Sequence, residues 1–270
     1  MGKGNNFGKK KEIDQAFLKE LATIMAGRGT KATLKGATLL SIISNQKVSK
    51  FRQTQDLDMD YAGIYDELIL DLTRALRKSS KATVFSHIET TRLVDTSCSL
   101  TVYSRNNSIL CEIDAQFKNN KRPVIYKVDN YEVKGQSIYY IITDKLTVVS
   151  DNGLKLSRRV KDLYDLFIIS YLDSYTTTDI ALAVTDKNSP KKFYDVIGNF
   201  NGLVNHSDRS KKGIYYAYSK FDLAYTTDSY SVEKPDFNTV VHRVLHFCEP
   251  FIMQSKEHLI WNPKKGVWNK

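Results

Sequence analysis

Cysteine is scarce in this chain: Cys98, Cys111 and Cys248 are the only three among 270 residues. An odd number of thiols with no Cys-x-x-Cys pair excludes a disulfide framework and a cysteine-rich zinc module. Free thiols within strand-like stretches suit a reducing compartment. Histidine is nearly as rare, with 5 residues and no His-Glu-x-x-His motif. His242 and His246 stand four apart on an expected helix, but no third ligand accompanies them, which argues against a zinc site. No window approaches eighteen uninterrupted apolar residues, so no membrane-crossing helix is expected. The opening "MGKGNNFGKKKEIDQ" is basic, yet no apolar run follows it. It reads as a flexible polar start and not as a secretory signal. Internal repeats and low-complexity linkers are also missing.

What is present suits one large domain or two small ones. The apolar fraction of 41% and charged fraction of 26% are those of ordinary globular proteins. The net charge of +10, with a pI near 9.3, points to a polyanionic partner such as nucleic acid, a nucleotide or an acidic protein. Basic residues cluster at "GKKKE" near the start, "RRVK" (158–161), "KK" (191–192), "RSKK" (209–212) and "NPKK" (262–265). Several of the 16 tyrosines fall near these clusters, a combination that suits single-stranded RNA.

Periodicity divides the chain into two halves of different character. "EIDQAFLKELATIMA" (12–26) has helical spacing, and "TKATLK" is a short strand candidate. "GATLLSIISNQ" is an apolar helix opening at or just after Gly36. "TQDLDMDY" alternates with period two, as a half-buried strand does. "IYDELILDLTRALRKSS" is an amphipathic helix with Ile64, Leu68, Leu72 and Leu76 on one stripe. From about 83 to 140 the segments "ATVFSHIET", "CSLTVYSR", "SILCEIDAQF", "PVIYKV" and "SIYYIIT" are β-branched and aromatic, separated by turn-like residues. Beyond about 143 the pattern is mostly helical: "DKLTVVSDN", "SRRVKDLYDLFIISYL", "TTDIALAVTD", "SPKKFYDVIGNF" and "NTVVHRVLHFCEPFIM". The tail "HLIWNPKKGVWNK" is expected to pack back through Trp261 and Trp268.

The aspartates of "DLDMD" carry the chemistry. On a strand, Asp56 and Asp58 share a face with backbones about 6.5–7 Å apart, while Leu57 and Met59 turn into the core. Two such carboxylates, with a third acid from a neighbouring strand, can hold one or two divalent cations roughly 3.5–4 Å apart. Glu112 and Asp114 of "SILCEIDAQF" share a face and are the candidates for that third acid. Asp60, third in the row, lies too far along the strand to share the ions. A calcium loop fits poorly. Asp56, Asp58, Asp60 and Glu67 take its ligand positions 1, 3, 5 and 12, but Tyr61 stands where the turn requires glycine. A solvated edge strand with alternating acids is the plain alternative.

The glycine ahead of them matters too. A strand ending at Gly36 and opening a helix leaves backbone N–H groups at a dipole-positive end, an anion site for phosphate oxygens. The small pair Gly36-Ala37 allows close approach, and the Thr38 hydroxyl can add a donor.

"LKGATLL", then about twenty residues, then "DLDMD", resembles the first motif of the polymerase-β-like nucleotidyltransferases. More narrowly, the chain resembles the AbiEii/AbiGii family, nucleotidyltransferase toxins of bacterial type IV toxin–antitoxin and abortive-infection systems. "TDKL" (143–146) and "SRRVKDLYDLFII" (157–169) carry that narrower likeness, "RVKDLYDL" being its most specific element. Members usually show Gly-Gly or Gly-Ser where this chain has Gly36-Ala37, which keeps the backbone donor but drops a hydroxyl.

The resemblance implies an α+β fold: a nucleotidyltransferase-like mixed sheet flanked by helices (residues 1–140), then a mainly helical half (141–270) that adds to an active-site cleft. It implies a Mg2+- or Mn2+-dependent transfer of a nucleotide from an NTP to an acceptor, RNA such as a tRNA 3′ end, in the bacterial cytoplasm. A cognate antitoxin would be the protein partner. Asp56, Asp58 and Asp114 would hold the metal, with Asp114 helping to deprotonate the acceptor and Glu112 its rival. Lys145 would neutralise phosphate charge, and Asp162 would act beside it. Lys35, Gly36, Ala37, Thr38, Arg159, Lys161 and Asp165 would complete the nucleotide site. A salt-bridged helix surface accounts for Arg159, Lys161 and Asp165 equally well. Two other readings stay open: modification of a protein side chain, and a non-catalytic nucleic-acid-binding module on a degenerate transferase fold.

Overall fold

The computed structural model describes residues 13–44, 54, 56–119, 122–128, 130–151, 160–186 and 235–270. The helix expected over 189–200, Arg159, and the basic clusters at 8–12, 191–192 and 209–212 lie outside these residues.

The chain divides into two compact units, the first ending at Gln136 and the main part of the second beginning at Ser137. The first is built on a seven-stranded mixed sheet. Its helices are α1 (Gln15–Met25), α2 (Gly36–Ser44) and α3 (Tyr65–Lys78). Its strands are β1 (Ala32–Leu34), β2 (Asp56–Tyr61), β3 (Phe85–Val94), β4 (Ser97–Ser104), β5 (Ile109–Phe117), β6 (Val124–Val128) and β7 (Tyr131–Gly135). The spatial order is β3-β4-β5-β2-β1-β7-β6. β2 runs parallel to β5 and β1 parallel to β7, while the other pairs are antiparallel.

Local chemistry explains where these elements begin. Asp14 caps α1, its Oδ1 accepting from the backbone of Ala16 and Phe17 at 3.1 Å. In α3 the buried stripe is Leu68, Leu72, Ala75 and Leu76, and each fully buried leucine contributes about 1.5–3 kcal/mol. Ile64, expected on that stripe, caps the helix and is 64% exposed. One turn ahead of Leu68, it stands outside the helix proper. Leu57, Met59, Ile113 and Ala115 point inward from the sheet, which turns Asp56, Asp58 and Asp114 to the opposite face.

The second unit packs α4 (Ile138–Asp151) against α5 (Val160–Leu172) and α6 (Thr177–Asp186), with α7 (Phe237–Ile252) against α5. A hairpin of β8 (Ile260–Asn262) and β9 (Val267–Asn269) closes the chain. As expected from the tail, Trp261 is fully buried, its indole N–H donating to Ser170 O at 2.7 Å. Phe247 of α7 packs against both tryptophans, with ring centroids 5.0 Å from Trp261 and 5.8 Å from Trp268.

One assignment is overturned. "SIYYIIT" is not a strand but the first turns of α4, and the strand that occupies this part of the sheet is β7, "YEVKG". The expected α+β class holds, with the mixed sheet first and helices after it. All three cysteines are buried, and burial pushes the Cys98 thiol up to about 11 and Cys111 up to about 12.

Candidate active site

β2 and β5 are parallel and in register, with Asp58 opposite Asp114 and Asp56 opposite Glu112. The pairing brings the carboxylates of Asp56, Asp58 and Asp114 together: each offers an oxygen, and the three oxygens lie within 4.8 Å of one another. Glu112 does not join this group. Asp56 and Asp58 are half-buried and Asp114 is exposed. Three oxygen ligands at this spacing suit a hard divalent cation such as Mg2+.

Helix α2 opens directly against the cluster. Lys35 donates its backbone N–H to Asp58 O at 3.0 Å, holding the β1–α2 turn to β2. Gly36 follows with φ +65°, and a Cβ there would meet Asp58 Oδ2 at 2.3 Å. The glycine therefore serves two ends: a left-handed turn into the helix, and room for the Asp58 carboxylate beside the helix's first residue.

The hydroxyls and amines beside the cluster have definite partners. Thr38, expected as a donor to phosphate, is buried and donates to Asp56 O at 2.7 Å, so it ties α2 to β2. Ala37 is buried at the same helix end. Lys35 Nζ reaches Asp60 Oδ1 at 3.0 Å, and Lys118 Nζ stands 3.5 Å from the same oxygen. Asp60, 3% exposed, is thus compensated by two lysines and stands apart from the trio.

Two further hydroxyls hold the carboxylates themselves. Ser99 Oγ donates to Asp114 Oδ1 at 2.6 Å, and Thr54 Oγ1 donates to Asp56 Oδ1 at 2.8 Å. Gln15 in turn clamps Thr54, its Nε2 donating to Thr54 O at 2.7 Å and its Oε1 accepting from Thr54 N at 3.0 Å. Sequence reasoning missed all three. Thr54 carried a local signal two residues before Asp56. Ser99 and Gln15 carried none, because strand pairing and helix packing bring them in.

The second unit holds a buried ionic cluster. Lys145 of α4 lies 2.7 Å from Asp162 Oδ1 and 2.6 Å from Asp165 Oδ2 of α5. All three are buried, Asp165 completely. The spacing of three places Asp162 and Asp165 on one helix face, and of the residues a salt-bridged helix surface would use, Asp165 is buried against Lys145 instead. Lys161 is exposed on the same helix.

The family model for the AbiEii nucleotidyl transferase toxin of type IV toxin–antitoxin systems matches residues 21–211. The chain belongs to this family. It is a nucleotidyltransferase toxin, and the matched stretch takes in both the carboxylate trio of the sheet unit and the Lys145–Asp162–Asp165 cluster. No curated protein matches it significantly. Among solved structures, JHP933 from Helicobacter pylori is 18% identical, with 78% of this chain and 88% of that chain covered, at a TM-score of 0.42. MenT4, a nucleotidyltransferase toxin from Mycobacterium tuberculosis, is 12% identical over 78% and 90%, at 0.40. The Megavirus polyadenylate synthase is 10% identical over 98% and 48%, at 0.31. Among the described residues, no helix is long and apolar enough to cross a membrane.

Proposed function

We propose that this toxin transfers a nucleotidyl group from an NTP to a hydroxyl of RNA, such as a tRNA 3′ end, and that a cognate antitoxin restrains it. The observation that carries this reading is the carboxylate trio beside the first residue of α2, in a chain of this family.

Asp56, Asp58 and Asp114 would hold Mg2+ or Mn2+, which supplies charge neutralisation for the triphosphate. The acceptor oxygen attacks the α-phosphorus, its bond to the β-phosphate oxygen breaks, and pyrophosphate leaves. Asp114 is exposed and takes the proton of the incoming hydroxyl. The backbone N–H groups that open α2 at Gly36 and Ala37 face the triphosphate as a dipole-positive helix end. The family resemblance suggests Lys145 as a phosphate-neutralising cation, with Asp162 and Asp165 fixing its ammonium. Lys161, exposed on α5, is a further candidate for a phosphate contact. The net charge of +10 supports a polyanionic acceptor over a protein side chain.

The test uses each of the four α-labelled NTPs with Mg2+, offered total tRNA and lysate protein from the same cells. Label in a tRNA band, lost after treatment with ribonuclease, is the expected result. Label confined to protein bands would replace the RNA acceptor with a side chain. Growth arrest by Asp56→Ala together with no label anywhere would favour a non-catalytic inhibitor.

A further inference from the structure

The geometry points to Ser99 as a positioning residue for the cation site: its hydroxyl fixes the rotamer of Asp114, and a bulge in β3 fixes Ser99. This rests on the metal-binding reading of the trio given above.

Asp114 lies on the outward face of β5 and is exposed. A carboxylate there has several staggered χ1 wells and a broad χ2. Joining Asp56 and Asp58 requires one of these orientations. Ser99 stands directly opposite Asp114 in the β4–β5 register, on the same face, and donates to Oδ1 at 2.6 Å. A hydroxyl–carboxylate bond of that length is of the strong, charge-assisted kind. It engages one oxygen and sets the plane of the group, so the carboxylate is oriented before any ion arrives.

Ser99 is itself held from the far side. The β3–β4 register runs Thr90 opposite Leu100, then Arg92 opposite Ser99, so Thr91 is the extra residue of a bulge that falls at Ser99. The Thr91 hydroxyl donates to Ser99 O at 3.0 Å. Bulges recur beside active sites because they re-aim a side chain. Three strands thus act in series, from Thr91 through Ser99 to Asp114. Asp56 receives an equivalent hydroxyl donor from Thr54 at 2.8 Å. Glu112, one row away on β5, stays outside the trio.

An exposed hydrogen bond of this kind contributes little to folding, because water replaces it when it is lost. Its effect is on the ligand. Removing an outer partner of a metal-binding carboxylate typically weakens affinity or activity about 10–100-fold.

Mn2+ binding to the full-length protein, followed by electron paramagnetic resonance without nucleotide, tests this directly. Ser99→Ala is expected to weaken Mn2+ binding by roughly 10–100-fold with an unchanged melting temperature. Ser99→Thr restores the hydroxyl and is expected to bind near the wild-type level. Ser97→Ala, on the same strand opposite Gln116, leaves affinity unaltered. Thr91→Val, which touches neither Ser99's hydroxyl nor Asp114, should weaken binding by a smaller factor and decides the matter if Ser99→Ala fails to fold. Wild-type affinity in Ser99→Ala, alongside lost binding in Asp114→Ala, would overturn the role of Ser99 alone. Wild-type affinity in Asp114→Ala would overturn the metal site and Ser99's role with it.

Discussion

Replacing Gly36 by alanine is expected to lower nucleotidyl transfer about a hundredfold or more in a protein that still folds. Two penalties combine at this position. At φ +65° a side chain costs about 1–2 kcal/mol of backbone strain. The new Cβ would also lie 2.3 Å from Asp58 Oδ2, with Cγ and Cβ of Asp58 at 3.1 and 3.2 Å. The helix opening is fixed by the Lys35–Asp58 backbone bond and by Thr38, so the carboxylate must move. Moving it separates Asp58 from Asp56 and Asp114. A displacement near 1 Å is enough to cost about two orders of magnitude in rate. Gly29 is the control: its φ is +84°, but a Cβ added there would meet no atom within 4 Å. Gly29→Ala carries the backbone strain alone and should retain its rate. Initial rates of label transfer, with melting curves of both variants, separate the two effects.

The second large effect is on stability. Lys145→Met removes the ammonium between Asp162 and Asp165 and leaves two carboxylates buried beside each other. Breaking a buried ion pair by deleting one partner costs about 3–5 kcal/mol, because the remaining charge has lost its compensation. Methionine matches the stem of lysine, so little of the loss comes from packing. The melting temperature should fall on the order of 10 °C. Lys161→Met, on the exposed face of α5, should leave it nearly unchanged. A melting temperature within a degree or two of wild type for Lys145→Met would mean that the cluster contributes nothing to folding.

Much of the sheet unit was legible because its chemistry is local. "DLDMD" alternates, so the strand and its two faces follow from the letters alone. "GATLL" opens a helix at a glycine, and the left-handed φ at Gly36 is the reason for that glycine. The place where reading failed is equally specific. "SIYYIIT" is rich in β-branched and aromatic residues and looks like a strand when the window ends at Thr143. Extended onward, the buried residues Ile141, Ile142, Lys145, Leu146 and Val149 fall at i, i+1, i+4, i+5 and i+8, a helical stripe. "YEVKG" is short and charged, so the buried Val133 and Gly135 gave too weak an alternation to register.

The polar partners could not be read at all. Thr38 and Lys35 sit in the motif that suggests phosphate, yet their side chains bond to β2, 18 and 25 residues away. Ser99 reaches Asp114 only through strand pairing, 15 residues on. Spacing along the chain identifies which acids share a face. It does not identify which neighbours hold them.

The most direct measurement is transfer of label from an α-labelled NTP to RNA by wild-type protein and by Asp58→Asn, each with Mg2+ and with a chelator. Asp58→Asn keeps the shape of the side chain while removing its charge, so the fold and the fit against Gly36 are preserved. The expected result is transfer and pyrophosphate release by the wild type with Mg2+ alone, and none above background by Asp58→Asn. Transfer by Asp58→Asn at the wild-type rate would contradict the assignment of the trio as the active site.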